Sequence, residues 1–137
     1  MRILRYIPLL IVPIVIYASI AFGAGSHMNE RLAGQVFVVT LVSGDAWTVT
    51  FGALLLGLAI SCQLFELVRS ARPTNAALAE NMASVVLWIL GLILFLLVRG
   101  FGTSEFFLLL LLLLVDYMTD AAVMVFTAKR SVGGVVR

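Results

Sequence analysis

The sequence predicts an all-α membrane protein, with four transmembrane helices in a compact bundle and both termini in the cytoplasm. Two observations carry that reading. Hydrophobic residues make up 63% of the 137 residues and the mean hydropathy is +1.17, whereas soluble domains are about half apolar. The apolar residues also gather into four runs near the roughly 20 residues that a spanning helix needs, at 3–23, 46–69, 77–98 and 104–128. One membrane domain, 1–137, thus takes up the chain and leaves no room for a soluble catalytic module.

The first run opens with Arg2 and Arg5 and closes on Ala21-Phe22-Gly23-Ala24. It reads as a spanning helix, and the competing reading is a secretory signal with a small-residue cleavage site. Pro8 and Pro13 each lack a backbone donor, so this helix is expected to kink or to start late. Tyr6 is placed as an interfacial anchor. Residues 24–45 form the longest polar connection, a periplasmic loop with Ser26, His27, Asn29, Glu30 and Arg31. Inside it, the β-branched stretch 35–42 is too short to span. It fits an interfacial helix or loop, or a small strand folded back by Ser43-Gly44-Asp45, and periodicity does not choose between them.

In the second run Asp45 stands as the N-cap and Trp47 at the interface. At about 100° per residue, Thr50, Ala53, Gly57 and Ser61 share one face, and Gly52, Ala59, Gln63 and Glu66 the opposite one. Ala53, Gly57 and Ser61 are the helix-packing set, because small residues permit close helix approach in lipid. Two such faces place this helix between neighbours, whether the chain's own helices or another subunit's. A short turn with Arg72, Pro73 and the cap Thr74 leads into the third helix. Its first turns hold Glu80, Asn81 and Ser84 before an almost wholly aliphatic stretch. Gly100-Phe101-Gly102 then turns into the fourth helix, which carries leucines 108–114, Asp116, Thr119 and Asp120, and runs to Lys129-Arg130.

Loop charge sets the orientation. With four spans, Arg2, Arg5, Arg69, Arg72, Lys129, Arg130 and Arg137 fall on one side, seven of the nine basic residues, and Arg31 and Arg99 on the other. The positive-inside rule then places both termini on the cytoplasmic side of a bacterial inner membrane.

Asp116 falls near the bilayer midplane, where a carboxyl costs about 3 kcal/mol unless it is paired, protonated or wet. Asp120 lies about 40° round the same helix. Ser61 and Gln63 fall at comparable depth, while Glu66, Asn81 and Ser84 lie nearer the cytoplasmic surface, so these groups form one expected polar cluster. The candidate site is Asp116, Asp120, Thr119, Gln63, Ser61 and Glu66. No Lys, Arg or His lies within a span. The acids are therefore protonated and hydrogen-bonded, or they bind a proton or cation in a wet cavity, or a partner subunit supplies a cation. Plainer readings compete: Asp120 as a helix clamp, Glu66 as an interfacial ion pair with Arg69, and Glu105 as a first-turn acid on the helix dipole. A single cysteine, Cys62, and a single histidine, His27, exclude an intrachain disulfide, a thiolate cage and bis-histidine haem ligation. No cofactor or metal is expected. The scattered basic residues and a net charge of +2 set nucleic acid aside.

Ser43-Gly44-Asp45-Ala46-Trp47-Thr48, Leu64-Phe65-Glu66, Thr103-Ser104-Glu105-Phe106-Phe107 and Leu114-Val115-Asp116 resemble the pattern of a family of small, uncharacterised four-helix inner-membrane proteins of proteobacteria. The resemblance covers roughly residues 43–130, and the tail from Ser131 to Gly134 fits less well. It implies a fold and a compartment, singles out Glu66 and Asp116 as the matching acids, and implies no activity.

Without a catalytic constellation, the chain reads as a non-enzymatic accessory or assembly subunit of a larger inner-membrane complex, such as an energy-transducing one. Its expected partners are the lipid bilayer and other membrane subunits or copies of itself. The alternative is a small oligomeric proton- or cation-coupled transporter or channel using Asp116. A membrane enzyme acting on lipid is the weakest reading, since no nucleophile or metal site is apparent.

Overall fold

The computed structural model describes residues 8–70 and 77–133. The element order is α1 (Ile11–Ala24), a 3-10 turn (Gly25–His27), α2 (Met28–Leu32), β1 (Gln35–Thr40), β2 (Ala46–Thr50), α3 (Phe51–Ser70), α4 (Ala77–Leu97) and α5 (Ser104–Gly133). Three helical runs are long and apolar enough to cross a membrane: Ile11–Leu32, Phe51–Val68 and Ser104–Val123. The fourth long helix, α4, carries a shorter apolar run, Met82–Leu97. Arg2, Arg5, Tyr6, Arg72, Pro73, Thr74 and Arg137 lie outside the described residues, as do the side chains of Arg69, Glu80, Asn81, Thr127, Lys129 and Arg130.

Several expected boundaries move. Among the described residues the first helix begins at Ile11, so Pro13 falls in its first turn, where a missing amide costs nothing, and the expected start at residue 3 lies outside the described residues. Residues 24–45 are not a loop. They continue as the 3-10 turn and α2, then form an antiparallel hairpin in which Val38 pairs with Thr48 and Val39 with Trp47. The strand reading of 35–42 is the one observed, and it takes the start of the second span with it. Residues 46–50 form β2, and α3 begins only at Phe51. Asp45 accordingly does not cap that helix. It accepts a 3.0 Å bond from the Ser43 hydroxyl inside the hairpin turn, where Gly44 holds φ 90°. Thr50 is the cap, its Oγ1 accepting the Ala53 amide at 3.2 Å.

The core follows helical spacing. On α5, Phe106, Leu109, Leu110, Leu113 and Asp116 turn inward, while Phe107, Leu108, Leu111 and Val115 turn outward. The leucine run thus splits between core and periphery, as a period of 3.6 requires. On α3 the inward stripe is Gly52, Leu55, Ala59 and Glu66. Contacts of Gly52 with Glu105 and of Gln63 with Asp116 make α3 and α5 parallel, and those of Gly91 with Leu110 and Ser84 with Asp116 make α4 and α5 antiparallel.

At the hairpin end of the bundle, Tyr17 pins α1 to the turn between α4 and α5. Its hydroxyl lies 2.8 Å from the Gly100 carbonyl and 2.6 Å from Thr103 Oγ1. Thr103 also caps α5 by accepting the Phe106 amide at 3.2 Å. The three groups close consistently if Thr103 donates to Tyr17 and Tyr17 donates to Gly100. Phe101 and Phe106 stack around the Tyr17 ring, with centroids 5.6 and 4.7 Å from it.

Gly100 adopts φ 90°, and a Cβ there would sit 2.7 Å from the Gly25 carbonyl oxygen. Gly100→Ala should therefore cost about 1–3 kcal/mol in detergent-micelle unfolding, from backbone strain and overpacking. Gly102→Ala two residues away, where a Cβ meets nothing within 4 Å, should leave the unfolding curve unchanged.

Candidate intramembrane polar site

Asp116 sits twelve residues into α5, about 18 Å along its axis, and is 3% exposed. Its carboxylate joins three helices. Gln63 Nε2 of α3 donates to Oδ1 at 3.3 Å, and Ser84 Oγ of α4 donates to Oδ2 at 3.0 Å. Gln63 Oε1 is buried and has no hydrogen-bond partner among the described residues, so an unsatisfied acceptor stands beside the carboxylate. Such an atom is costly in a low-dielectric interior, and a proton, a water or a cation placed between the two groups would satisfy both.

Glu66 has a different task. It is buried, and both carboxylate oxygens accept the Leu9 amide at 3.1 Å. That amide belongs to the turn leading into α1, one residue before the N-cap Leu10, which offers no side-chain bond of its own. An acid from α3 thus ties down the chain as it enters α1, near the positive end of the helix dipole. Glu66 is held to the first helix, a contact outside the interfacial pairing with Arg69 that its spacing suggests.

The expected cluster is only partly assembled. Asp116, Gln63 and Ser84 come together, and Glu66 lies one helical turn along α3 from Gln63. Asp120 stands half-buried one turn beyond Asp116. Ser61 and Thr119 do not join: Ser61 Oγ donates to the Gly57 carbonyl and Thr119 Oγ1 to the Val115 carbonyl, each at 2.8 Å within its own helix. Equal depth placed Ser61 with Gln63, but two residues of helix turn them about 160° apart. Ser84, which matches Asp116 in burial and in bonding, is the site residue whose weight the sequence understates.

The two small-residue faces of α3 differ, and the inward one is not the expected packing set Ala53, Gly57 and Ser61. Gly52 and Ala59 face inward, and a Cβ on Gly52 would lie 3.1 Å from the Glu105 side chain. Ala53, Gly57 and Ser61 are exposed, with nothing within 4 Å of a Cβ built on Gly57. Among the described residues no helix of the chain occupies this small-residue face. Among the described residues no three His, Cys, Asp or Glu side chains converge as metal ligands. No protein family, curated protein or solved structure matched the chain.

Removing the acceptor should cost more than removing one donor. Ser84→Ala loses a single interhelical bond, about 0.6 kcal/mol. Asp116→Leu leaves the Gln63 amide and the Ser84 hydroxyl buried without their acceptor, about 1–3 kcal/mol. Glu66→Ala should cost about 1 kcal/mol through the lost hydrogen bond to the Leu9 amide. Reversible unfolding in mixed micelles measures all three, and a Ser84→Ala cost equal to that of Asp116→Leu would contradict the ranking.

Proposed function

We propose that this chain is a non-enzymatic accessory or assembly subunit of a larger bacterial inner-membrane complex, such as an energy-transducing one. In this reading all four long helices span the bilayer and both termini are cytoplasmic. The asymmetry of basic residues supports that sidedness. The antiparallel packing of α4 against α5 supports α4 as a span.

The observation that carries the proposal is the hairpin. All six β1 residues are exposed, and the apolar side chains lie on both faces: Phe37, Val39 and Trp47 on one, Val36 and Val38 on the other. A two-stranded sheet is marginal in isolation, and one with two apolar faces is the pattern of a covered sheet. Its free backbone edges also keep it out of the hydrocarbon. A protein partner can cover both faces and pair an edge. The exposed Ala53, Gly57 and Ser61 face of α3 offers the same partner close helix contact. Asp116 enters this reading as internal glue, because its carboxylate points into the bundle rather than toward a neighbouring subunit's cation.

Extraction in a mild detergent followed by native mass measurement tests the reading, and the expected result is a stoichiometric complex with larger membrane subunits. Gly57→Leu should dissociate it while leaving the isolated chain at least as stable, because the site is open and leucine gains about 1 kcal/mol of helix propensity over glycine. Recovery of the chain alone from native membranes would refute the subunit role.

One observation favours the second reading, an oligomeric proton- or cation-coupled transporter using Asp116: the bare Gln63 Oε1 beside that carboxylate. Here the chain should carry protons or monovalent cations in proteoliposomes, and Asp116→Asn should abolish the flux. Flux no greater than that of empty vesicles removes this reading.

A further inference from the structure

At the opposite end of the bundle from Glu66, the two connections that Gly100 locks together line an open pocket of about 310 Å³, at the small end of ligand-pocket volumes. Its apolar side includes Met28, Phe95 and Val98, and its polar side Ser26, Asn29 and Arg99. Arg99 is the one charged residue of the lining, and it forms no ion pair with a described residue. The neighbouring acid Glu30 lies outside the lining, 3.4 Å from His27. The apolar run of α4 ends at Leu97 and that of α5 begins at Ser104, so the cavity opens at the edge of the hydrocarbon. The Tyr17, Gly100 and Thr103 bonds hold one wall, and the close fit of Gly100 against Gly25 fixes the other, so the site is formed in advance of any ligand.

We infer that this cavity binds the headgroup and first chain segment of an anionic phospholipid, with Arg99 facing the phosphate and Ser26 and Asn29 donating to its oxygens. Charge complementarity selects the occupant. A lone exposed cation holds a free anion weakly in water, whereas an amphiphile adds apolar contact along Met28, Phe95 and Val98 while its headgroup stays at the level of Arg99. The inference rests on α4 and α5 spanning the bilayer as proposed above, and stands whether or not larger partners are found.

Native mass spectrometry of the full chain in mixed micelles tests it, with phosphatidylglycerol and phosphatidylcholine of identical chains as the probes. The wild type should retain phosphatidylglycerol about fivefold better, the contribution of one basic residue near an anionic headgroup. Arg99→Gln should remove that preference and leave phosphatidylcholine retention unchanged. Gly102→Leu should fill the cavity and displace both lipids, since the position lines it and is open at its Cβ. Equal retention of the two lipids by the wild type, a preference that survives Arg99→Gln, or retention that survives Gly102→Leu would each overturn the assignment. So would displacement of phosphatidylglycerol by an equal concentration of inorganic phosphate, which would identify the ligand as a soluble anion.

Discussion

Much of the bundle depends on one constraint: a carboxylate taken out of water must find its hydrogen-bond donors inside the protein. Asp116 finds them on α3 and α4, so three helices are brought to one depth by a single residue. Glu66 applies the same rule to the fourth, taking the amide that opens α1. Hydrophobic association between helices is weak in lipid, because hydrocarbon solvates leucine as well as leucine does. Polar pins of this kind therefore set the register that apolar contacts leave loose.

The two ends of the molecule use different pins. Toward the end of α3 they are acids; at the hairpin end they are the Tyr17 hydroxyl, Thr103 and a glycine carbonyl, wrapped in aromatic rings. Between them the inward stripe of α5 is leucine and phenylalanine and carries no directional contact. The bundle is thus pinned at the hairpin end by Tyr17 and Thr103, near mid-depth by Asp116 and beyond it by Glu66, with apolar packing along α5 between the first two. The exterior is less settled within the chain itself. Ala53, Gly57 and Ser61 and the apolar side chains on both faces of the hairpin are exposed.

Composition made the membrane class and the helical runs legible, because transfer of apolar residues into hydrocarbon is a property of the sum and tolerates errors of detail. Boundaries were less so. Residues 46–50 continue the apolar run of α3 without a break, and only pairing with Gln35–Thr40, a contact between separate segments, turns them into a strand. Asp45 had the residue type and position of a helix cap, yet the hairpin turn claimed it first. Within the site, Asp116 announced itself as an acid among leucines, and Gln63 followed from depth. Ser61 was misplaced because depth is one coordinate and azimuth another. The role of Glu66 was hidden because the amide it serves belongs to a backbone, which a sequence does not mark.

The hairpin has no linker to the membrane helix that follows it. Thr50 ends β2 and caps α3, and the Phe51 amide bonds the Gly34 carbonyl at the base of β1. Sheet and helix are therefore one lever with a stiff joint. A neighbour that grips the strands also sets the rotation of α3 about its long axis, and with it the direction in which Ala53, Gly57 and Ser61 look. A torque on the strands would travel down the same helix to Gln63, and so reach the carboxylate of Asp116 through their hydrogen bond.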